Sequence, residues 1–231
     1  LDTPATWAGL SSLLPGWTLE TPSYAVSTGT DALTQDLPAI LTRLAAAPAP
    51  ILLVGHSYGG LLALTAALAV PERVAGLLLI EPIAFGLLSG AVRERFDVLN
   101  VELGRQLASD RAEASLRLLV DYWNGVGTWD RMPERVRERL RDQSARAAIE
   151  VESGRRDRTE VGELSRFQRP VQVLWGAQTT AESQQVCGAL VAGFPRAHGA
   201  AVPGVGHQVS RSAPAAVAAA LLALAAEAEE G

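Results

Sequence analysis

Residues 55–59 read Gly-His-Ser-Tyr-Gly, and Gly60 follows. A serine flanked two positions away on each side by glycine can sit on a turn too sharp for side chains there, with its hydroxyl thrust clear of the backbone. Residues 51–54 are continuously apolar and a helical pattern runs from the serine to about residue 70, so Ser57 falls between a buried strand and a helix. At that helix N-terminus, backbone N–H groups and the helix dipole favour a developing negative charge. Such a serine is suited to nucleophilic attack on a carbonyl, and it needs a base. The chain has three histidines. His56 neighbours the serine and should pack beneath the turn, whereas His198 precedes a short strand at the surface. His207 ends Pro203-Gly204-Val205-Gly206-His207, a glycine-rich loop between the last strand and the last helix. Such a loop can swing an imidazole over the carboxyl edge of a sheet, so His207 is the expected general base.

Composition narrows the chemistry further. All 20 basic residues are arginine, which excludes a Schiff-base lysine and a phosphate-binding loop lysine. A net charge of -5 lacks the basic surplus that a nucleic-acid or anionic-membrane partner requires. Cys187 is the one cysteine and has no internal disulfide partner, and with three histidines a four-ligand zinc site is not expected, so no metal is assigned. The longest unbroken apolar run, residues 215–226, falls short of the about 18 residues a membrane span needs. On that ground alone a cytoplasmic location is expected. Position 1 is leucine and the one methionine is Met132, so the numbered chain is expected to begin downstream of a translation start.

The elements that must position Ser57 and His207 follow from the apolar pattern. Strands are expected at residues 18–24, 51–54, 74–80, 171–175 and 199–202, the second and third of them continuously apolar as in strands buried on both faces. Asp31 should cap a helix whose Leu33, Leu37, Ile40, Leu41 and Leu44 share one face until Pro48 stops it. Further helices are expected at about 182–191 and at 214–230. Strand alternating with helix at these lengths means a mostly parallel, doubly wound α/β sheet. Residues 86–169 differ, with 16 of the arginines and 15 of the 25 acidic residues, and read as exposed charged helices, the run through residues 131–148 above all.

Taken together, the serine turn, the histidine loop and their strands resemble the α/β-hydrolase superfamily, in the branch with a helical cap inserted after the strand that follows the elbow helix. The resemblance spans essentially the whole chain. It implies a core of residues 1–85 and 170–231, a cap of residues 86–169, a triad in the order serine, acid, histidine, and no cofactor. It also implies an oxyanion hole, with the Tyr58 N–H as one donor. By the same resemblance Tyr122, Trp123 and Trp129 would line the substrate pocket, although they could equally hold the cap to the body.

Two departures from the family pattern carry expectations of their own. The family's strand ending in His-Gly, whose next N–H completes the oxyanion hole, would lie just before residue 1, so an N-terminal piece is expected to be missing and the second donor would fall at Leu1 or Asp2. In addition, the family's Gly-x-x-Asp reads Gly176-Ala177-Gln178-Thr179, so the usual acid is replaced by threonine. Three carboxylates compete for the role. Glu182 should open a helix and Asp31 should cap one, whereas Glu81 lies at the carboxyl end of the strand next after the elbow, where catalytic groups of parallel sheets gather. Some members of the family carry their acid on that strand, and Glu81 is the expected third member. The favoured reading is a serine hydrolase that cleaves an ester, thioester or related acyl bond of a small-molecule substrate through an acyl-enzyme. The alternatives are a carbon–carbon bond hydrolase or a cofactor-free perhydrolase of the same fold, or a non-catalytic small-molecule-binding member.

Overall fold

The computed structural model describes residues 4–24, 31–107 and 112–230. Asp31 opens the first helix by accepting the Leu33 N–H at 3.0 Å, and α1 (Ala32–Ala46) ends just before Pro48. The chain then runs through β1 (Ile51–His56), turns at Ser57, and returns as α2 (Tyr58–Ala69) and β2 (Val74–Ile80). Between β2 and the next strand the described residues are mostly helical: α3 (Gly90–Leu107), α4 (Ala112–Asn124), α5 (Thr128–Arg131), α6 (Glu134–Asp142), α7 (Ser144–Arg156) and α8 (Val161–Leu164). Strand and helix then alternate again as β3 (Val171–Gly176), α9 (Ala181–Gly193), β4 (Ala197–Val202), α10 (Val209–Ser212) and α11 (Pro214–Glu229).

The strands form one parallel sheet in the order β1-β2-β3-β4. Its centre is β2, where Leu77, Leu78, Leu79 and Ile80 are all fully buried. Successive side chains of a strand point to opposite faces, so this run feeds two cores. Leu77 and Leu79 pack with Leu61, Leu64 and Val186 from α2 and α9. Leu78 and Ile80 pack with Leu174, Val217 and Leu221, the last two from α11. The sheet is thereby covered on both faces and is doubly wound, and the carboxyl ends of β1, β2 and β4 open toward the same edge.

Three expectations need correction. Residues 18–24 form no strand. Among the described residues β1 has a strand neighbour on one side only, and Leu52, Leu53 and Val54 are half-buried rather than covered on both faces, with Ile51 38% exposed. A trough of about 1050 Å³ lies along that edge, walled by Trp17, Leu19, Leu44 and Leu53 among others. An apolar run registers that a strand faces a core but not how many strands flank it. The third correction concerns residues 131–148, where the helix breaks at Gln143. Only α6 is exposed, with Arg137 and Arg141 paired to Glu134 and Arg141 also to Glu113. By contrast α7 packs on α1 and α2 and buries Ala147, Glu150, Ser153 and Gly154. No helix of the described residues is long and apolar enough to cross a membrane.

Candidate active site

The turn at Ser57 exists because β1 and α2 nearly touch there. A Cβ on Gly55 would stand 2.2 Å from the Gly59 carbonyl oxygen, a distance no side chain tolerates. Ser57 itself sits at φ 53°, a left-handed conformation that costs energy in any residue but glycine. Hydrogen bonds on both sides hold it: the Ser57 N–H donates to the Ile80 carbonyl at 3.0 Å, and the Ser57 carbonyl accepts from Gly60 at 2.9 Å and Ile83 at 3.2 Å. Tyr58 is the first residue of α2, so its N–H has no acceptor within the helix. Its side chain is buried and its hydroxyl donates to Asp36 at 2.7 Å. Burial, followed by that carboxylate, pushes the Tyr58 phenol far above its ordinary range, so it stays protonated.

The same strain recurs once more among the described non-glycine residues, at Glu81 with φ 41°. Its position at the end of β2 aims a fully buried carboxylate sideways under the histidine loop. Oε1 accepts the Gly176 N–H at 2.7 Å, and Oε2 accepts both the Thr179 hydroxyl at 2.6 Å and His207 Nδ1–H at 2.7 Å. Burial alone would raise this carboxyl's pKa, but the hydrogen bond and charge of His207 outweigh it, aided by Thr179 and Gly176. The net result is a pKa lowered to about 2. An ionised Glu81 has no proton to give, so His207 Nδ1 must carry one. His207 Nε2 is then free to accept the Ser57 hydroxyl, which lies 3.1 Å away.

His207 is held from three directions. Its N–H donates to the Trp123 carbonyl at 3.3 Å, and the Trp123 ring lies against the imidazole at 5.0 Å between centroids. Its carbonyl accepts His56 Nε2–H at 2.9 Å, and the two rings tilt together at 4.8 Å. The loop is also tied to the turn after β3, where the Gln178 N–H donates to the Val205 carbonyl at 2.9 Å. Gly176 is needed at that tie, since a Cβ there would meet the Gly206 carbonyl oxygen at 2.2 Å.

A cavity of about 440 Å³ opens above this edge, between Ser57, Tyr58 and His207 below and Trp123, Val136, Leu140 and Val151 above. Its size suits a small molecule. Of the three aromatics expected in its wall, Trp123 is there and stacks on Phe85. The other two lie elsewhere. Tyr122 hydrogen-bonds Glu182, and burial followed by that contact pushes its phenol pKa up. Trp129 is buried in a separate cluster with Leu116 and Ala147. Residue type alone does not say which side of a helix faces a cavity.

The remaining candidates fall apart in space. Glu182 sits in the first turn of α9 and Asp31 caps α1, each committed to its own helix or partner. His198 is exposed on β4, 3.8 Å from Glu227. Leu1 and Asp2, where a second oxyanion donor was expected, lie outside the described residues. Among the described residues no group of three or more His, Cys, Asp or Glu is placed to hold a metal ion.

Sequence reasoning expected His56 packed beneath the turn, where it is buried, but missed the contacts that support the relay. Thr179 registers in the sequence only as a missing acid, yet it donates to Glu81. His56 clamps the carbonyl of the other histidine, and Arg146 of α7 reaches Asp36 at 2.6 Å and Glu150 at 3.0 Å while its guanidinium lies 4.9 and 5.0 Å from the ring centroids of Tyr24 and Tyr58. Arg146 thereby links a helix of the inserted segment to the side chain next to Ser57. Its i, i+4 spacing to Glu150 was visible, but the contact to Asp36 spans 110 residues and was not.

Comparison with solved structures gives the same fold. The chain superposes on MenH from S. aureus with a TM-score of 0.66 at 14% identity, covering 91% of this chain and 80% of that one. A hydrolase from Pseudomonas aeruginosa PA01 matches with a TM-score of 0.64 at 21% identity over 87% and 74% of the two chains. The 2-hydroxy-6-oxo-6-phenylhexa-2,4-dienoate hydrolase from Rhodococcus sp. strain RHA1 matches at 0.62 and 17%, again over 87% and 74%. No curated relative matches the chain. The family model described as the alpha/beta hydrolase family matches residues 3–220. With nearly its full length matched, and with the parallel sheet and strained serine turn described above, the chain belongs to the alpha/beta hydrolase family.

Proposed function

We propose that the protein is a serine hydrolase that cleaves an ester, thioester or related acyl bond in a small-molecule substrate. The observation that carries this reading is the unbroken relay from Ser57 Oγ to His207 Nε2 at 3.1 Å and from His207 Nδ1 to Glu81 Oε2 at 2.7 Å. Ser57 Oγ attacks the carbonyl carbon while its proton passes to His207 Nε2. The resulting imidazolium is stabilised by the Glu81 carboxylate, which remains ionised. The oxyanion forms at the N-terminus of α2, within reach of the Tyr58 N–H. Collapse of the tetrahedral intermediate expels the leaving group, which takes the proton from His207, and leaves an ester on Ser57. A water molecule then gives a proton to His207 and attacks that ester, and the acid departs as the proton returns to Ser57.

In this reading residues 86–169 act as the cap that roofs the cavity, on a core of residues 1–85 and 170–231. Trp123 serves twice, as cavity wall and as a clamp on the histidine loop. A cavity of about 440 Å³ with few aromatic walls supports a preference for short to medium acyl chains. The test is hydrolysis of p-nitrophenyl esters from acetate to palmitate by wild type and Ser57→Ala. Turnover that falls with chain length and disappears in Ser57→Ala is the expected result. Turnover retained in Ser57→Ala, or none in a well-folded wild type, would defeat the reading, the second outcome favouring a small-molecule-binding protein.

A further inference from the structure

Glu81 receives three donors among the described residues: the Gly176 N–H, the Thr179 hydroxyl and His207 Nδ1–H. Two of them compete for one oxygen. A carboxylate can only accept, so the buried Thr179 hydroxyl must donate to Oε2, at 2.6 Å and within the same small space as the imidazole. Thr179 is itself fixed, its N–H on the Gly176 carbonyl at 3.1 Å and its carbonyl receiving Gln184 Nε2 at 3.3 Å. The turn from Gly176 to Thr179 therefore presents two donors to one carboxylate, one to each oxygen.

We propose that Thr179 is a positioning residue that sets the base strength of His207 by sharing Oε2 of Glu81. The proposal rests on the hydrolase reading above. Each donor to a carboxylate draws charge from the oxygen it shares and weakens the other bond to that oxygen. With the hydroxyl in place, Glu81 holds the imidazole in one tautomer and orientation without overstabilising the imidazolium. Without it, Oε2 binds His207 alone and the imidazolium is favoured, so the base is blocked by a proton at a higher pH. The elements packed around the pair carry other titratable or charged groups: His56 on β1, Cys187 on α9 beside Glu81, Glu182 on α9 paired with Tyr122 of α4, and Arg211 on α10, tied to Thr6. None of these is a donor to the Glu81 carboxylate among the described residues.

The experiment is the pH dependence of kcat/KM for p-nitrophenyl acetate in wild type, Thr179→Ser and Thr179→Val, with Ser57→Ala as control. The profile of kcat/KM reports the free enzyme's base. Thr179→Val, which keeps the shape and removes the donor, should move the acid limb upward by about 0.5 pH unit or more, while Thr179→Ser stays close to wild type. Thr179→Ala should shift it in the same direction, so the test survives if the valine variant fails to fold. An unmoved limb in both Val and Ala, or an equal shift in Ser, would overturn the role of Thr179 while Ser57-dependent turnover left the hydrolase reading intact. Turnover that persists in Ser57→Ala would defeat both.

Discussion

Glu81→Gln isolates the acid of the relay with the smallest change in shape. The amide keeps one acceptor oxygen and replaces the other with an NH2 donor, yet both carboxylate oxygens of Glu81 face donors: Gly176 N–H at 2.7 Å on one, Thr179 and His207 at 2.6 and 2.7 Å on the other. Whichever way the amide turns, an NH2 meets an N–H or an O–H. If the NH2 faces Gly176, one buried donor pair is opposed and His207 keeps its tautomer but loses the charge that stabilises the imidazolium. If it faces His207, the ring is driven toward the wrong tautomer, with Nε2 protonated against Ser57. The first arrangement costs about 1–3 kcal/mol of stability for the buried group left unsatisfied. Either arrangement should lower kcat by about 10²- to 10⁴-fold, the scale seen when a triad acid is neutralised. The assay is steady-state hydrolysis of p-nitrophenyl acetate, with a denaturant melt on the same preparations. Glu182→Gln, which alters the Tyr122 contact instead, should keep kcat within about threefold of wild type. Near-normal turnover in Glu81→Gln, or an equal loss in Glu182→Gln, would refute the reasoning.

Four further outcomes follow from the same structure. Because the Glu81 pKa is lowered to about 2, its contribution to stability is complete above its unfolded value and is lost as pH falls through about 2, so Glu81→Gln should flatten the wild-type loss of stability below about pH 4.5 in acid-titrated melts. Arg146→Met removes the cation facing two buried carboxylates, Asp36 and Glu150, and should cost about 3 kcal/mol in denaturant unfolding; a change under about 0.5 kcal/mol would contradict the picture of α7 linked to the turn at Ser57. Leu79→Ala at the sheet centre should cost about 2–5 kcal/mol by the same method. Burial raises the Cys187 thiol's pKa, so iodoacetamide should modify the native protein far more slowly than the unfolded one, as read by intact mass.

The parts of this molecule that the sequence disclosed are those where one residue type answers one local requirement. Gly55 and Ser57 announce the turn, the run 74–80 marks a strand covered on both faces, and Asp31 marks a helix start; all of these depend on neighbours a few residues away. Glu81 was reached by position at a strand end, and its strained φ could not have been read beforehand. What stayed hidden depends on contacts between distant segments. The donation from Thr179 to Glu81 spans 98 residues, and the directions of Tyr122 and Trp129 depend on Glu182 of α9 and on the cluster with Leu116 and Ala147. The weak segment at 18–24 is a different kind of miss, since its modest apolar character was compatible with a strand but supplied no partner to pair with.

The most direct measurement of the central claim is covalent labelling by a fluorophosphonate, read by intact mass and peptide mapping on wild type, Ser57→Ala and His207→Gln. The account predicts a single adduct per chain on Ser57, absent in Ser57→Ala and formed at least about 10²-fold more slowly in His207→Gln. A folded wild-type protein that takes up no label, or carries it on a residue other than Ser57, would contradict the account.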